Sequence, residues 1–149
     1  MINSFLEHID ASPTAHHVVS RASSILAKNG FNQVPLTTTF TTNHLQNGFV
    51  ISGGTIIAWK NATSFSEDGI RIVGAHTDSP GLHIKPNPDS QSLNWQQLQV
   101  EVYGGPLLNS WLDRDLAIAG HVVLRDGTTS LFMSTRTVAR IPQLAIHLD

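Results

Sequence analysis

The stretch Ile70-Arg71-Ile72-Val73-Gly74-Ala75-His76-Thr77-Asp78-Ser79-Pro80-Gly81 decides the predicted fold. Its first six residues are mostly apolar, which predicts a strand buried in the middle of a sheet. That strand ends at His76, and a loop rich in proline and glycine follows it. Because α/β proteins place ligands and catalytic groups where strands end and loops begin, the stretch predicts an α/β unit with a site at this edge.

The chemistry of this predicted site rests on His76 and Asp78. They are two residues apart, so their side chains lie on the same side of an extended segment. A neutral imidazole nitrogen binds metal ions, and a carboxylate near the other ring nitrogen fixes the tautomer and increases basicity. A surface histidine beside an aspartate that caps a turn would have the same sequence, but the position at a strand end favours metal binding.

A helix and a hairpin are predicted upstream of this strand. Ser12-Pro13 indicates the start of an amphipathic helix over residues 13–29, and Asn29-Gly30 supplies a left-handed stop. His16 and His17 lie on adjacent faces of that helix, so at most one of them is expected to point inward. The other predicted elements are a β-hairpin of residues 49–51 and 55–59 around Ser52-Gly53-Gly54, and a turn at Glu67-Asp68-Gly69.

Downstream of the site the pattern is β only. A short strand over residues 82–85 precedes Pro86-Asn87-Pro88-Asp89-Ser90, which breaks the pattern and predicts a domain boundary near residue 87. The later predicted elements are strands over residues 98–103, 116–124 and 131–133, with a turn at 125–127. We therefore expect an α/β unit of residues 1–86 and a β-rich unit of residues 87–149.

Composition excludes several classes of function. The 149 residues include no cysteine, which excludes a disulfide scaffold, a thiolate zinc site and a cysteine nucleophile. The net charge of −2 indicates no basic surface for nucleic acid or anionic lipid. No apolar run is long enough for a membrane span and the N-terminus has no signal-peptide pattern, so we expect a cytoplasmic protein.

Three further features have a functional and a structural interpretation. Arg114 between Asp113 and Asp115 could form a network with carboxylates, although a locally paired arginine in a turn is the more common case. His147 lies in an apolar run, which is more typical of a core or interface histidine than of a ligand. Trp95 and Trp111 suit interface anchors or packing equally well. The histidines with no partner visible in the sequence, and so expected to be solvated, are His8, His44, His83 and His121.

Five blocks of sequence cover nearly the whole chain: residues 12–19 (SPTAHHVV), 73–82 with 84–86 (VGAHTDSPGL, IKP), 100–108 (VEVYGGPLL), 111–116 (WLDRDL) and 140–148 (RIPQLAIHL). In these blocks, and in their order, the chain resembles the M18 family of metallo-aminopeptidases. His83 and His121 stand where arginine is expected in close relatives.

The resemblance implies a fold and a site. It implies part of an α/β zinc-aminopeptidase catalytic domain, followed by part of an inserted β-rich oligomerisation domain that begins near residue 87. It implies that His76 is a zinc ligand and Asp78 its orienting partner. It also implies that His147 contributes to the active site, either as a further zinc ligand or by reaching a neighbouring subunit's site to polarise the scissile carbonyl.

The resemblance further implies that the chain is the N-terminal portion of a longer enzyme. A complete site is expected to hold two zinc ions, with cobalt or manganese as possible substitutes, and to act on peptide substrates in a homo-oligomer. The catalytic carboxylate base and the other ligands are expected downstream of Asp149. The alternative function is that of a non-catalytic fragment that acts only as an assembly or interaction module.

Overall fold

The computed structural model describes residues 2–41, 46–60 and 69–148. They form two compact units, which we describe separately. The helical unit comprises residues 1–78 and 119–133, and the β unit comprises residues 79–118 and 134–149. The chain thus divides at other residues than the predicted boundary near residue 87, and the identity of the units as catalytic domain and insert stays a prediction. His44, Glu67 and Asp68, on which predictions were made, lie outside the described residues.

The helical unit begins with two helices. Helix α1 (Ile2–Asp10) has no counterpart in the sequence prediction, and its large apolar side chains are exposed. Helix α2 (Ala15–Lys28) confirms the predicted amphipathic helix, but its N-cap is Thr14 rather than Ser12. The Thr14 backbone is extended and its hydroxyl accepts from the amide of His17. The predicted left-handed stop is confirmed, since Gly30 has φ +80°.

A small sheet packs beside α2. Strand β1 (Asn32–Gln33) is parallel to β2 (Gly48–Ser52), and β2 is antiparallel to β3 (Thr55–Trp59), which confirms the predicted hairpin. Among the described residues, the hydrophobic side chains that are buried are Val19, Val34 and Phe49. A second hairpin, β7 (Ala119–Val123) with β8 (Thr129–Met133), also belongs to this unit and contacts α2. Gly127 has φ +83° in the predicted turn between β7 and β8.

The predicted central strand over residues 70–75 is wrong for the described structure. These residues form no strand, and Ile70, Ile72 and Val73 are 66%, 85% and 98% exposed. An apolar strand becomes central only when neighbouring strands pair with both of its edges. Within the described part of the chain no strand pairs with this segment, so its apolar side chains remain in solvent.

The β unit is built on a long hairpin of β4 (Gly81–Ser92) and β5 (Trp95–Tyr103). The predicted break at residues 86–90 is wrong, because β4 continues through it with an irregularity between Ile84 and Asp89. Proline has no amide hydrogen for the ladder, so Pro86 and Pro88 interrupt the pairing without ending the strand. Leu93 and Asn94 turn the chain with φ of +48° and +65°, as a two-residue hairpin turn requires.

Two short strands complete the β unit. Strand β6 (Asp115–Leu116) pairs with β9 (Ala139–Arg140), and a single bridge joins Leu112 to Ile141. A 3₁₀ turn (Leu108–Trp111) precedes them. The single strand predicted over residues 116–124 is therefore wrong, since β6 and β7 are separate strands of different units. None of the described helices is long and apolar enough to cross a membrane.

Candidate functional site

His76 lies at the end of the unpaired segment, in the helical unit, with its side chain 78% exposed. Its Nδ1 lies 2.6 Å from the backbone carbonyl oxygen of Asp78 and 3.5 Å from the carboxylate Oδ1 of the same residue. A carbonyl oxygen only accepts hydrogen bonds, so the short contact places the proton on Nδ1. The Nε2 lone pair is then directed away from this contact and is available to a metal ion.

The backbone carbonyl and the carboxylate of Asp78 lie at different distances from Nδ1 of the His76 ring. The sequence predicted that the carboxylate fixes the tautomer, whereas the backbone carbonyl is the closer acceptor. The chain bends at Thr77, and both oxygens of Asp78 then lie within reach of the His76 ring. The role of Asp78 as an orienting partner stays a prediction, with the carbonyl as the atom that makes the hydrogen bond.

Thr77, between these two residues, contacts a distant part of the helical unit. Its hydroxyl donates to the carbonyl of Gly54 at 2.6 Å, in the turn between β2 and β3. This contact was missed from the sequence, since nothing in the spacing of two residues 23 positions apart predicts that they meet. The hydrogen bond connects the segment of His76 to the hairpin.

His147 belongs to the β unit and lies in an exposed turn after β9. The amide of Leu148 donates to the carbonyl of Ala145 at 2.8 Å, which closes this turn. The neighbouring Ile146 is 91% exposed. Although an apolar run is typical of a buried histidine, the structure places His147 in solvent. Its roles as ligand or catalytic group stay predictions.

The segment that leads to His147 is attached by polar contacts that the sequence did not predict. Arg140, rather than Arg114, forms the ion pair with Asp115, and its Nε donates to the Asp115 Oδ1 at 3.2 Å. The Asp113 carboxylate accepts from the amide of Gln143 at 3.2 Å. Hydrogen bonding and the charge of Asp115 raise the pKa of the Arg140 guanidinium. These contacts hold β9 against the block of residues 111–116.

Two histidines that were expected to be solvated have ring partners. His121 on β7 contacts His16 on α2, with ring centroids 4.1 Å apart. His83 stacks on Tyr103 across the β4–β5 hairpin, with centroids 4.4 Å apart. Both His16 and His17 are half-buried residues, so the expectation that at most one of them points inward stays a prediction. The His17 ring contacts the N-cap hydroxyl of Thr14 at 2.8 Å.

The donor set tests whether the described residues suit a metal ion. Imidazole Nε2 with Nδ1 held by a carbonyl is a common arrangement at zinc sites. Within residues 2–41, 46–60 and 69–148, however, no group of three or more histidine or acidic side chains is placed to hold a metal ion. His76 therefore suits a metal as one oriented donor, and a catalytic zinc requires about three.

Comparison with known proteins places the chain in a family. Residues 8–149 match the family described as Aminopeptidase I zinc metalloprotease (M18). The chain belongs to the M18 family. A probable M18 family aminopeptidase 2 of Streptomyces avermitilis is 49% identical over 145 residues, which are 97% of this chain and 33% of that protein.

Solved structures support the M18 assignment at the level of the fold. A chain in the cryo-EM structure of the Ape4 and Nbr1 complex has a TM-score of 0.85 and 33% identity, over 98% of this chain and 29% of its own length. A chain of the S. cerevisiae mApe1 dodecamer has a TM-score of 0.82 and 28% identity, over 97% of this chain and 36% of its own. This chain spans about a third of the length of the curated M18 relatives it matches.

Proposed function

We propose that this chain supplies part of the active site of a zinc-dependent aminopeptidase that removes N-terminal residues from peptides. The family is described as zinc metalloproteases, and the Streptomyces relative is named a probable aminopeptidase. The observation that carries the proposal is the His76 ring, whose Nδ1 is held by the Asp78 carbonyl at 2.6 Å. The complete site would contain two zinc ions, with cobalt or manganese as possible substitutes.

In this proposal His76 contributes Nε2 and Asp78 keeps the proton on Nδ1. Bound zinc would polarise the scissile carbonyl and lower the pKa of a water molecule towards about 7. The chain's own residues hold the imidazole in one tautomer and direct its lone pair, which increases its basicity as a ligand. The remaining ligands and the carboxylate base would lie in the other two thirds of the enzyme.

The activity is tested on the full-length enzyme, in which this chain is followed by the downstream region that the relatives carry. We expect hydrolysis of aminoacyl-nitroanilides, loss of that hydrolysis after chelation, and recovery when zinc is returned. An enzyme that keeps its rate after complete removal of metal would contradict the proposal. Blocking the substrate's amino group provides the control, because an aminopeptidase should not cleave the blocked compound.

His147 is proposed to act on the site of a neighbouring subunit. Its turn is exposed while the preceding strand is attached through Arg140 and Asp113, so the ring is available to another copy of the chain. A histidine that donates a hydrogen bond to the scissile carbonyl would stabilise the developing negative charge. The assembly would be a homo-oligomer formed through the β-rich insert. That one of the relatives, mApe1, is described as a dodecamer supports an oligomer.

A mixing experiment separates the two roles of His147. His147→Ala in the full-length enzyme should lower kcat by roughly 10²–10³-fold with nearly normal zinc content, as when an oxyanion donor is removed. Mixing this variant with His76→Ala should restore part of the activity, since some sites then combine an intact ligand with an intact His147. Loss of zinc from His147→Ala, without recovery on mixing, would assign His147 as a ligand within its own subunit.

The alternative function, a non-catalytic assembly module, is favoured by the exposed apolar surface of the chain. Ile146 and Leu93 are each 91% exposed, and Val73, in the unpaired segment of residues 70–75, is 98% exposed. Exposed apolar surface and unpaired backbone promote association. Light scattering on the purified chain tests this alternative, which requires a defined oligomer rather than a monomer or a broad aggregate.

The cytoplasmic location stays a prediction of the sequence.

A further inference from the structure

Thr77 connects the proposed zinc ligand to a distant turn. Its half-buried hydroxyl donates to the carbonyl of Gly54 at 2.6 Å, while its neighbours His76 and Asp78 contact each other. Residues 70–75, which lead into this segment, take no part in a strand ladder in the described structure. The hydrogen bond of Thr77 therefore fixes the segment of residues 76–78 in a way that the preceding backbone, which has no strand partner, does not.

The hydrogen bond can orient the segment of residues 76–78 only if Gly54 is itself held in place. Its φ lies outside the left-handed region, so a side chain there would not strain the backbone. A Cβ at this position would nevertheless lie 2.9 Å from the Cβ of Ala15, the first residue of α2. The close packing of Gly54 on Ala15 fixes the distance between the β2–β3 turn and the start of α2. It thereby fixes the position of the Gly54 carbonyl that accepts from Thr77.

These contacts join two of the sequence blocks that resemble M18 proteins, residues 12–19 and 73–82. Ala15 lies in the first block and Thr77 in the second, with Gly54 between them in space. A packing contact alone would tolerate a change of side chain on either side. Here Thr77 makes a hydrogen bond of defined length to Gly54, and Gly54 packs on Ala15 with no room for a methyl group. The two contacts together restrict the position of Thr77 more than a packing contact alone would.

We propose that Thr77 is a positioning residue for His76, held by the Gly54 carbonyl and, through Gly54, by Ala15 at the start of α2. The proposal rests on the proposed function, in which His76 is a zinc ligand. Thr77 does not touch the metal or the substrate. It holds the segment of residues 76–78 so that the Asp78 carbonyl accepts from Nδ1 and Nε2 is presented in one direction.

The first test is made on this 149-residue chain without metal. The ring tautomer of His76 is read by long-range proton–nitrogen NMR at a pH where the ring is neutral. We expect the Nδ1–H form in the parent chain, a shift to the mixture of a solvated histidine in Thr77→Val, and recovery in Thr77→Ser. The matched control is Thr55→Val, on an exposed threonine of the same hairpin, which should leave the tautomer unchanged.

A compensating pair provides the second test, which stands even if Thr77→Val fails to fold. Gly54→Ala should disturb the His76 tautomer, because the added methyl group displaces the turn from Ala15. Ala15→Gly should relieve that contact, so the double variant Ala15→Gly/Gly54→Ala should regain the Nδ1–H form. An unchanged tautomer in both Thr77→Val and Gly54→Ala, with the amide spectrum of α2 and β2–β3 intact, would overturn the proposal.

Zinc binding by the full-length enzyme separates this proposal from the function on which it rests. Thr77→Val should weaken zinc affinity by roughly 10-fold or more, as loss of a hydrogen bond around a ligand does, and Thr77→Ser should restore it. Normal zinc affinity in Thr77→Val, with weakened binding in His76→Ala, would refute the role of Thr77 alone. Normal zinc affinity in both variants would instead refute the assignment of His76.

Discussion

At the scale of single residues, His16 shows how a local environment changes a titration. The half-buried ring lies 4.1 Å from that of His121, measured between centroids, and next to His17 on the same helix. Desolvation lowers the pKa of His16 from its ordinary value of 6.5, and repulsion from His121 and His17 lowers it further. The charged form of His16 is therefore less favourable in the folded chain than in the unfolded one.

This lowered pKa predicts a loss of stability in weak acid. The unfolded chain binds a proton at His16 before the folded chain does, so the free energy of unfolding falls as the pH drops below about 6.5. Urea unfolding at pH 7.5 and pH 5.5 measures this difference. We expect the difference to shrink in His16→Gln, and to stay unchanged in the control His8→Gln on α1. An equal pH dependence in the parent chain and His16→Gln would contradict the explanation.

At the scale of elements, the sequence predicted correctly those elements that depend on local signals. It did not predict correctly an element that depends on pairing with distant strands. The helix and the β2–β3 hairpin formed as expected because caps, spacing and turn glycines lie within a few residues of each other. The strand over residues 70–75 failed because its formation depends on partners elsewhere, and an apolar pattern does not say whether they are present. The same limit applies to the site. The two-residue spacing predicted that His76 and Asp78 lie close together, but not that the backbone carbonyl is the nearer acceptor, nor that Thr77 reaches Gly54.

The turn between β4 and β5 gives a prediction at this scale. Leu93 is 91% exposed and has φ +48°, a left-handed conformation that is costly for leucine and much less so for asparagine. Leu93→Asn should raise the free energy of unfolding of the β unit by about 0.5–1 kcal/mol. Amide hydrogen exchange in β4 and β5 measures this change.

The control for this turn is Leu107→Asn. Leu107 is also exposed, at 76%, but has φ −75°, so the same substitution relieves no backbone strain. Hydrogen exchange in the hairpin should be unchanged in that variant. Equal protection in the parent chain and Leu93→Asn would show that the left-handed leucine costs little in this turn.

At the scale of the whole molecule, the described residues provide one oriented donor and no cluster of three. The chain also spans about a third of the length of its M18 relatives. A catalytic zinc requires about three protein ligands and a water, and a site with two metals requires more. The chemistry of the proposed aminopeptidase therefore depends on residues outside the described part of this chain.

The isolated chain should accordingly have negligible aminopeptidase activity. We expect less than a tenth of the rate of the full-length enzyme on aminoacyl-nitroanilides with zinc added, because the described residues supply one oriented donor and a catalytic zinc requires about three. Adding the separately expressed downstream region provides the positive control for a folded chain. A rate within tenfold of the full-length enzyme would show that the chain assembles a complete site by itself.

The most direct test of the central claim, that His76 presents Nε2 to zinc, is the zinc content of the full-length enzyme after His76→Ala. Zinc per subunit is measured by atomic emission after dialysis, in the parent enzyme, in His76→Ala and in the control His8→Ala. We predict that His76→Ala loses bound zinc together with its activity and that His8→Ala keeps both. Parental zinc content and a near-parental rate in His76→Ala would contradict the account.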